Sequence, residues 1–478
     1  MEGGIKKRVI GIGGISLLIF TLVCGGPSWG QGTAPKADPP KVKEEAAPEA
    51  AKEEKPPEIL PGEPGYRPGV LPPLPVTTLE VGPAGGVMAP YGYAGAYDTL
   101  QRGWTSHRLG PLPVRVAPYL EYAGIYRTNI YQTSANKIAD FVNGVNPGLR
   151  FELPVAGRHK LSVGYLGNYF FYTRHDHDSH FDHNVNADAA VNFRGGLSLR
   201  FGNAFRAATE ERTAVTARQR DYIRENPYFN TSYSITDRWR LEGSYQLDFM
   251  QFAKQEDRIS NYRQNTGGGT LYYKFWPKTA ALMQYIITRR TYPYSAQGNN
   301  LGHSPLAGLT WDPTAKVTGT VKFGYTFKQF DQQVQGRDNA PDSWAMSMET
   351  LYRYSNYTTF ALTAQHSIQE DVDLTVNNAY RNTAIYANWN HKWHIINADL
   401  YLTVAVTNNA YISASADPAT GLIKKRQDNI FSFGGGISRP LTRWLKLRLD
   451  YQYANKDSNF TDFSYMEHKI IFGIQSSI

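Results

Sequence analysis

Apolar and polar residues alternate through the end of the chain. Leu445, Leu447, Leu449, Tyr451 and Tyr453 share one face, with Lys446, Arg448, Asp450 and Gln452 on the other. Beyond a short polar loop, Ile470, Phe472, Ile474 and Ile478 fall together, opposite Lys469, Gly473, Gln475 and Ser477. Side chains switch faces at every residue of a strand, so this period-two pattern predicts a hairpin with one greasy and one wet side. The same pattern recurs upstream. Leu161, Val163, Tyr165, Tyr169 and Phe171 alternate with Ser162, Gly164 and Asn168, and Leu241, Tyr245, Leu247 and Phe249 with Glu242, Ser244, Gln246 and Asp248. Val317, Val321, Phe323, Tyr325 and Phe327 alternate with Thr318, Thr320, Lys322, Thr326 and Lys328.

The connections alternate in length as well. Tight turns are expected near 155–158, 194–196, 236–239, 276–278, 312–315, 355–357, 391–393 and 440–443. Longer polar connections lie between them, including 175–183, 209–218, 254–264, 329–342 and 408–426. Eight tight turns and nine longer loops require eighteen strands over residues 111–478, or about 20 residues per strand and connection. A tilted membrane strand needs about 9–11 of those. The prediction is therefore an all-β protein: a transmembrane, antiparallel, up-and-down β-barrel of about 18 strands. Closure pairs every backbone group and leaves no open edge in lipid, and this size encloses a wet lumen. Both termini then fall on the short-turn, periplasmic side.

The first 110 residues differ. Residues 1–30 read as a signal peptide, with basic Lys6, Lys7 and Arg8, an apolar run from Val9 to Val23, and Ser28 and Gly30 as small residues before the cut; an uncleaved anchor is the alternative. The only cysteine, Cys24, lies inside this segment behind Val23, a poor context for lipidation. Cleavage leaves no cysteine, hence no disulfide, thiolate metal site or thiol nucleophile. Residues 31–110 hold half of the 28 prolines together with mixed charge and alanine, and read as a disordered periplasmic leader or linker. Its Gly- and Tyr-rich part, residues 82–97, is read as linker, with a plug inside the pore as the alternative. No later stretch supplies the run of about 18 apolar residues that a membrane helix needs.

Several segments resemble the family called putative beta-barrel porin 2. They are Tyr126-Arg-Thr-Asn-Ile-Tyr131, Asp140 and Pro147-Gly-Leu149 at the start, and Tyr272-Tyr-Lys-Phe-Trp-Pro-Lys-Thr279 in the middle. Arg426-Gln-Asp428, Leu441-Thr-Arg-Trp-Leu445, Tyr451-Gln-Tyr453 and Asp457-Ser-Asn459 carry it at the end. The resemblance implies an outer-membrane pore, often linked to exopolysaccharide secretion beside periplasmic export proteins. General diffusion of small solutes and a non-conducting structural or adhesive barrel are the alternatives. Outer-membrane lipid, lipopolysaccharide and the barrel-insertion machinery are the other expected partners. One departure is the last residue: insertion signals usually end in Phe or Trp, and this chain ends in Ile478.

Candidate chemistry is sparse. Arg174 to His183 packs four histidines and three aspartates into ten residues. His175, His177, His180 and His183 are of the type that binds zinc, copper or nickel, although the spacing matches no defined site and a hydrophilic loop explains the composition. No cofactor is implied. The net charge of +8 divides into +2 from the signal, −2 from the leader and +8 from the barrel. Arg200, Glu242, Lys322, Lys328, Lys446, Arg448 and Asp450 fall on polar faces that point into a lumen. Basic rings there would favour an acidic polymer. Alternatively, lumen arginines pair with Glu121, Glu242, Asp248 and Asp450 and stiffen the wall. Ser304 beside His303 and Ser367 beside His366 are strand neighbours on opposite faces, the wrong geometry for Ser–His chemistry. The chain is not expected to be an enzyme. Dispersed basic residues and the lack of a phosphate loop argue against nucleic-acid binding.

Overall fold

The computed structural model describes residues 107–108, 114–156, 158–213, 218–314, 316–370 and 379–477. The signal peptide and nearly all of the leader, including the linker-or-plug segment, lie outside these. Eighteen long strands follow in chain order: β1 Arg115–Arg127, β2 Asp140–Val155, β3 His159–Tyr172, β4 His180–Asn192, β5 Leu197–Glu210 and β6 Arg220–Ser234. Next come β7 Trp239–Phe252, β8 Tyr262–Trp276, β9 Thr279–Thr291, β10 Asn300–Thr314, β11 Val317–Phe330 and β12 Asp342–Arg353. The last six are β13 Thr358–Glu370, β14 Ala379–Trp393, β15 Ala398–Ala416, β16 Ile423–Pro440, β17 Leu445–Ser458 and β18 Tyr465–Ser477. A two-residue strand, His107–Arg108, adds to the start of β1.

Each strand pairs antiparallel with the next, and β18 returns to β1 from Lys469↔Arg127 to Ser477↔Tyr119. The sheet is thus closed, the arrangement that leaves no unpaired edge in lipid. Its outer face carries Leu120, Phe151, Phe201, Met283, Phe323, Ile385 and Phe472, all exposed. Among the described residues no helix is long and apolar enough to cross a membrane. Short 3-10 turns at Asp176–Asp178, Gln255–Ser260, Ala296–Gly298 and Thr461–Phe463 shape four of the long connections.

Two connections differ from the sequence expectation. The turn expected at 391–393 lies instead at 394–397, because β14 and β15 stay paired through His391↔Leu400 and Trp393↔Ala398. Trp389 and His391 stack with ring centroids 5.7 Å apart, so these aromatics extend the strand, and Asn397 takes the positive φ of the turn. The loop expected over 408–426 is mostly strand. β15 and β16 run on to Ala416 and from Ile423, with a register shift between Ala410 and Ala414. Polar residues there bond to each other: Asn408 Nδ2 donates to Asn429 Oδ1 at 2.7 Å, and Asn382 Nδ2 to Asn409 Oδ1 at 2.7 Å. Polarity at that end of the strands therefore does not signal a loop.

Candidate pore and its charged wall

Strand alternation sends the exposed apolar residues out and their neighbours in. Arg200, Glu242, Lys322, Lys328, Lys446, Arg448 and Asp450 all lie on the inward face, opposite Phe201, Leu241, Phe323, Phe327, Leu447 and Leu449. They do not form a free basic ring. Arg448 reaches Glu121 at 3.1 Å and Asp450 at 2.7 Å. Arg200 Nε donates to Asp188 at 2.7 Å, Arg240 sits 3.1 Å from Glu242, and Lys446 lies 3.3 Å from Asp399. Lys328 pairs with Glu370, while Lys322 Nζ donates to Gln284 Oε1 at 3.1 Å. Arg224 holds Asp248 through two bonds of 2.8 Å. The carboxylates Glu121, Glu242, Asp248 and Asp450 thus all touch an arginine, Glu121 and Asp450 sharing Arg448. This is the wall-stiffening arrangement, and it weakens the case for selection of an acidic polymer.

One group of pairs locks the barrel seam. Gln475 Nε2 on β18 and Asn146 Nδ2 on β2 donate to the Glu121 carboxylate on β1, while Tyr401 OH on β15 donates to Asp450 on β17. Removing a buried charged group from its partners costs more than the pair contributes, so such a network fixes geometry.

A second group sits at the loop end. Arg127, at the end of β1, donates Nε to Glu467 Oε1 on β18 at 2.7 Å and Nη1 to Glu211 Oε2 at 2.8 Å. Glu211 belongs to the connection after β5, so that segment reaches back across β4, β3 and β2. Tyr172 OH also donates to Glu211, Arg212 stacks over the Tyr131 ring at 4.7 Å, and Gln219 Nε2 donates to the Asp178 carbonyl at 2.6 Å. Burial opposes ionisation of Glu211, yet Arg127, Lys469 and His180 outweigh it and hold the carboxyl at about 2. On the other side, the 331–341 connection touches β15 through Asp338 N and Ser413 Oγ, and Arg426 and Lys456 both hold Asp428. Sequence reasoning missed Arg127 and Glu211 as a contact because 84 residues separate them.

The four clustered histidines are not brought together. His175 Nδ1 meets Asp140 Oδ2 at 2.8 Å, His177 sits on the 3-10 turn, and His180 and His183 lie on β4. His180 points in, bonded to the Asp178 carbonyl, whereas His183 points out to Tyr165. Among the described residues no group of three or more His, Cys, Asp or Glu is arranged to hold a metal ion. Ser304 bonds Thr326, and Ser367 accepts from Gln369, so neither serine engages its neighbouring histidine. His366 does meet Ser343 at 3.0 Å, but its other nitrogen faces the Thr383 hydroxyl rather than a carboxylate, and Trp344 stacks flat on the ring at 3.8 Å. That arrangement lacks the acid which orients a catalytic histidine.

The closed sheet, the greasy exterior and the ion-paired interior are those of a pore, and the profile of the family described as putative beta-barrel porin 2 matches residues 114–477. The chain belongs to this porin family. It is a porin-like outer-membrane β-barrel, of a family of channels rather than enzymes. Similar solved structures include OpdK of Pseudomonas aeruginosa, crystallised with vanillate, at 12% identity and TM-score 0.42, covering 76% of this chain and 99% of that one. OccK3 (OpdO) of the same organism matches at 12% identity and TM-score 0.41, covering 76% and 95%. OccAB3 of Acinetobacter baumannii matches at 10% identity and TM-score 0.42, covering 76% and 99%. No curated protein matches the chain.

Proposed function

We propose that this porin conducts a secreted exopolysaccharide across the outer membrane, with both termini in the periplasm and export proteins acting there. The observation that carries the reading is the matched charge of the wall. Arg200–Asp188, Arg240–Glu242 and Arg224–Asp248 pair one to one and Arg448 is shared by Glu121 and Asp450, so these arginines form no free basic ring to trap an anionic polymer. Inward tyrosines such as Tyr228 and Tyr401 offer ring surface for sugar C–H groups, and polar side chains offer hydrogen bonds for hydroxyls. Passage then needs no catalytic residue, only a wet bore and a bias from partners. The family resemblance, with its link to exopolysaccharide secretion, supports the same cargo.

General diffusion of small solutes is the second reading, favoured by the family's porin character. Deleting the gene separates the two. Export predicts loss of surface polymer with small-solute uptake unchanged; normal surface polymer with slowed uptake would favour the diffusion porin.

A further inference from the structure

One side-chain pair recurs on the outer face with the same geometry. Tyr165, Tyr285 and Tyr451 each lie on a strand rising to the loop end, and each engages Nδ1 of a histidine on the next strand: His183 at 3.0 Å, His303 at 2.7 Å and His468 at 2.8 Å. Tyr122 and Tyr245 do the same with an amide, donating to Asn143 Oδ1 at 2.7 Å and Asn265 Oδ1 at 3.0 Å. In all five hairpins the tyrosine sits diagonally, two positions below its partner's directly opposed residue: His183 faces Gly167, His303 faces Ile287, His468 faces Tyr453, Asn143 faces Gly124 and Asn265 faces Leu247. In all five the partner is the fourth residue of its strand, counted from Asp140, His180, Tyr262, Asn300 and Tyr465. The pairs therefore sit at one depth below the loop-end rim, spread around β2, β4, β8, β10 and β18.

The chemistry repeats too. A tyrosine hydroxyl that donates to Nδ1 places the imidazole proton on Nε2, and one that donates to an amide oxygen leaves the NH2 group available. Among the described residues no hydrogen-bond partner meets Nε2 of His183, His303 or His468, or Nδ2 of Asn143 or Asn265. With the tyrosine hydroxyl as donor, each site presents an N–H donor on the lipid face, close to the rim and flanked by rings such as Phe181, Phe327 and Tyr126. Cations stand just above on the same face. Arg263 lies over the Phe249 ring two residues beyond Asn265, and Arg289 follows two residues beyond Ile287 with Asp331 as its partner. Donors in a ring beneath cations suit phosphate oxygens on a lipid headgroup.

We propose that these five pairs form a belt that binds the phosphate groups of the outer-leaflet glycolipid, with His183, His303 and His468 as the principal donors. The proposal rests on the orientation argued above, in which the loop end faces outward, but not on the cargo. The test is native mass spectrometry of the full-length, detergent-folded protein after delipidation. The probes are a diphosphorylated glycolipid, phosphatidylglycerol and phosphatidylethanolamine, each added alone. The wild-type chain should retain the glycolipid above the two phospholipids. Replacing the three histidines together by Phe, which lipid tolerates, should weaken glycolipid retention by about tenfold or more, as expected for lost charge-assisted hydrogen bonds. Replacement by Gln, which keeps an N–H, should restore part of it. Equal retention by the Phe variant and the wild type, or a wild-type preference for phosphatidylglycerol, would overturn the proposal. If the Phe variant does not migrate as a folded barrel, Tyr165→Phe, Tyr285→Phe and Tyr451→Phe together decide the matter: reduced retention supports it and wild-type retention overturns it. Pore conductance stays an independent readout of the transport reading.

Discussion

At the scale of single residues, Arg127 is the hub of the loop-end wall. It is buried between Glu467, Glu211 and Tyr172. Arg127→Ala removes one cation from both Glu467 and Glu211, leaving Lys469 at 3.6 Å from Glu467, and should destabilise the barrel by about 3 kcal/mol, the lower end of the usual cost of breaking a buried pair from one side. A lower temperature of heat-modifiable migration on detergent gels would report it; an unchanged one would show the network to be dispensable. Glu211 gives a pH prediction. Its folded carboxyl is held at about 2, below the ordinary 4.5, so its contribution is complete above the ordinary value and is lost only as pH falls towards 2. Channel records should therefore show the Glu211–Arg127 contact intact from pH 7 to pH 5, and Glu211→Gln should raise open-state noise across that whole range. Noise that sets in between pH 7 and pH 5 in the wild type would contradict the assignment, since the contact should fail only at lower pH. Arg127, Asn129, Asp140, Arg426 and Asp428 all lie in segments that carried the family resemblance, so the sequence held these residues in view. Their partners, set by register 340 residues apart for Arg127 and Glu467, were not legible.

At the scale of elements, the lipid-facing pattern was readable because a bilayer favours an apolar residue at every second position, and β3, β7, β11 and β17 follow it through most of their length, with single glycines (Gly167, Gly243, Gly319) and polar residues at the loop ends as the exceptions. What blurred was polarity at the ends. The β15–β16 hairpin carries Asn408, Asn409, Asn429 and Gln427 in strand conformation, and its tip exposes Leu422 and Ile423, the latter 79% accessible. Cross-strand amide pairs, invisible to periodicity, hold it together. Close strand approach gives another prediction. A side chain on Gly308 or Gly324 would collide with the backbone carbonyl of Val321 or Pro305 across the β10–β11 pair. Gly324→Val should part these strands and cost about 1–3 kcal/mol, typical of overpacking. The measurement is the fraction of protein that folds into detergent micelles, against Gly269→Val, where no atom lies within 4 Å and little loss is expected.

At the scale of the whole molecule, the strand number followed from counting turns, because tight and long connections alternate strictly in an up-and-down barrel. The function of the lumen did not, since net charge says nothing about pairing. The barrel segment carries +8, yet the inward arginines and lysines named above mostly meet carboxylates. The expected consequence is weak ion selectivity. Reversal potentials across a tenfold salt gradient should lie near zero for the wild type and move towards anion preference in Asp188→Asn with Glu242→Gln, which frees Arg200 and Arg240. A strongly anion-selective wild type would refute the matched-wall account. The central claim, a wet conduit wide enough for a polysaccharide strand, is tested most directly by single-channel recording of the purified protein in planar bilayers while the cell's own exopolysaccharide is added to one side. The account predicts discrete conductance steps interrupted by reversible, concentration-dependent block; the absence of steps, or steps that the polymer leaves untouched, would contradict it.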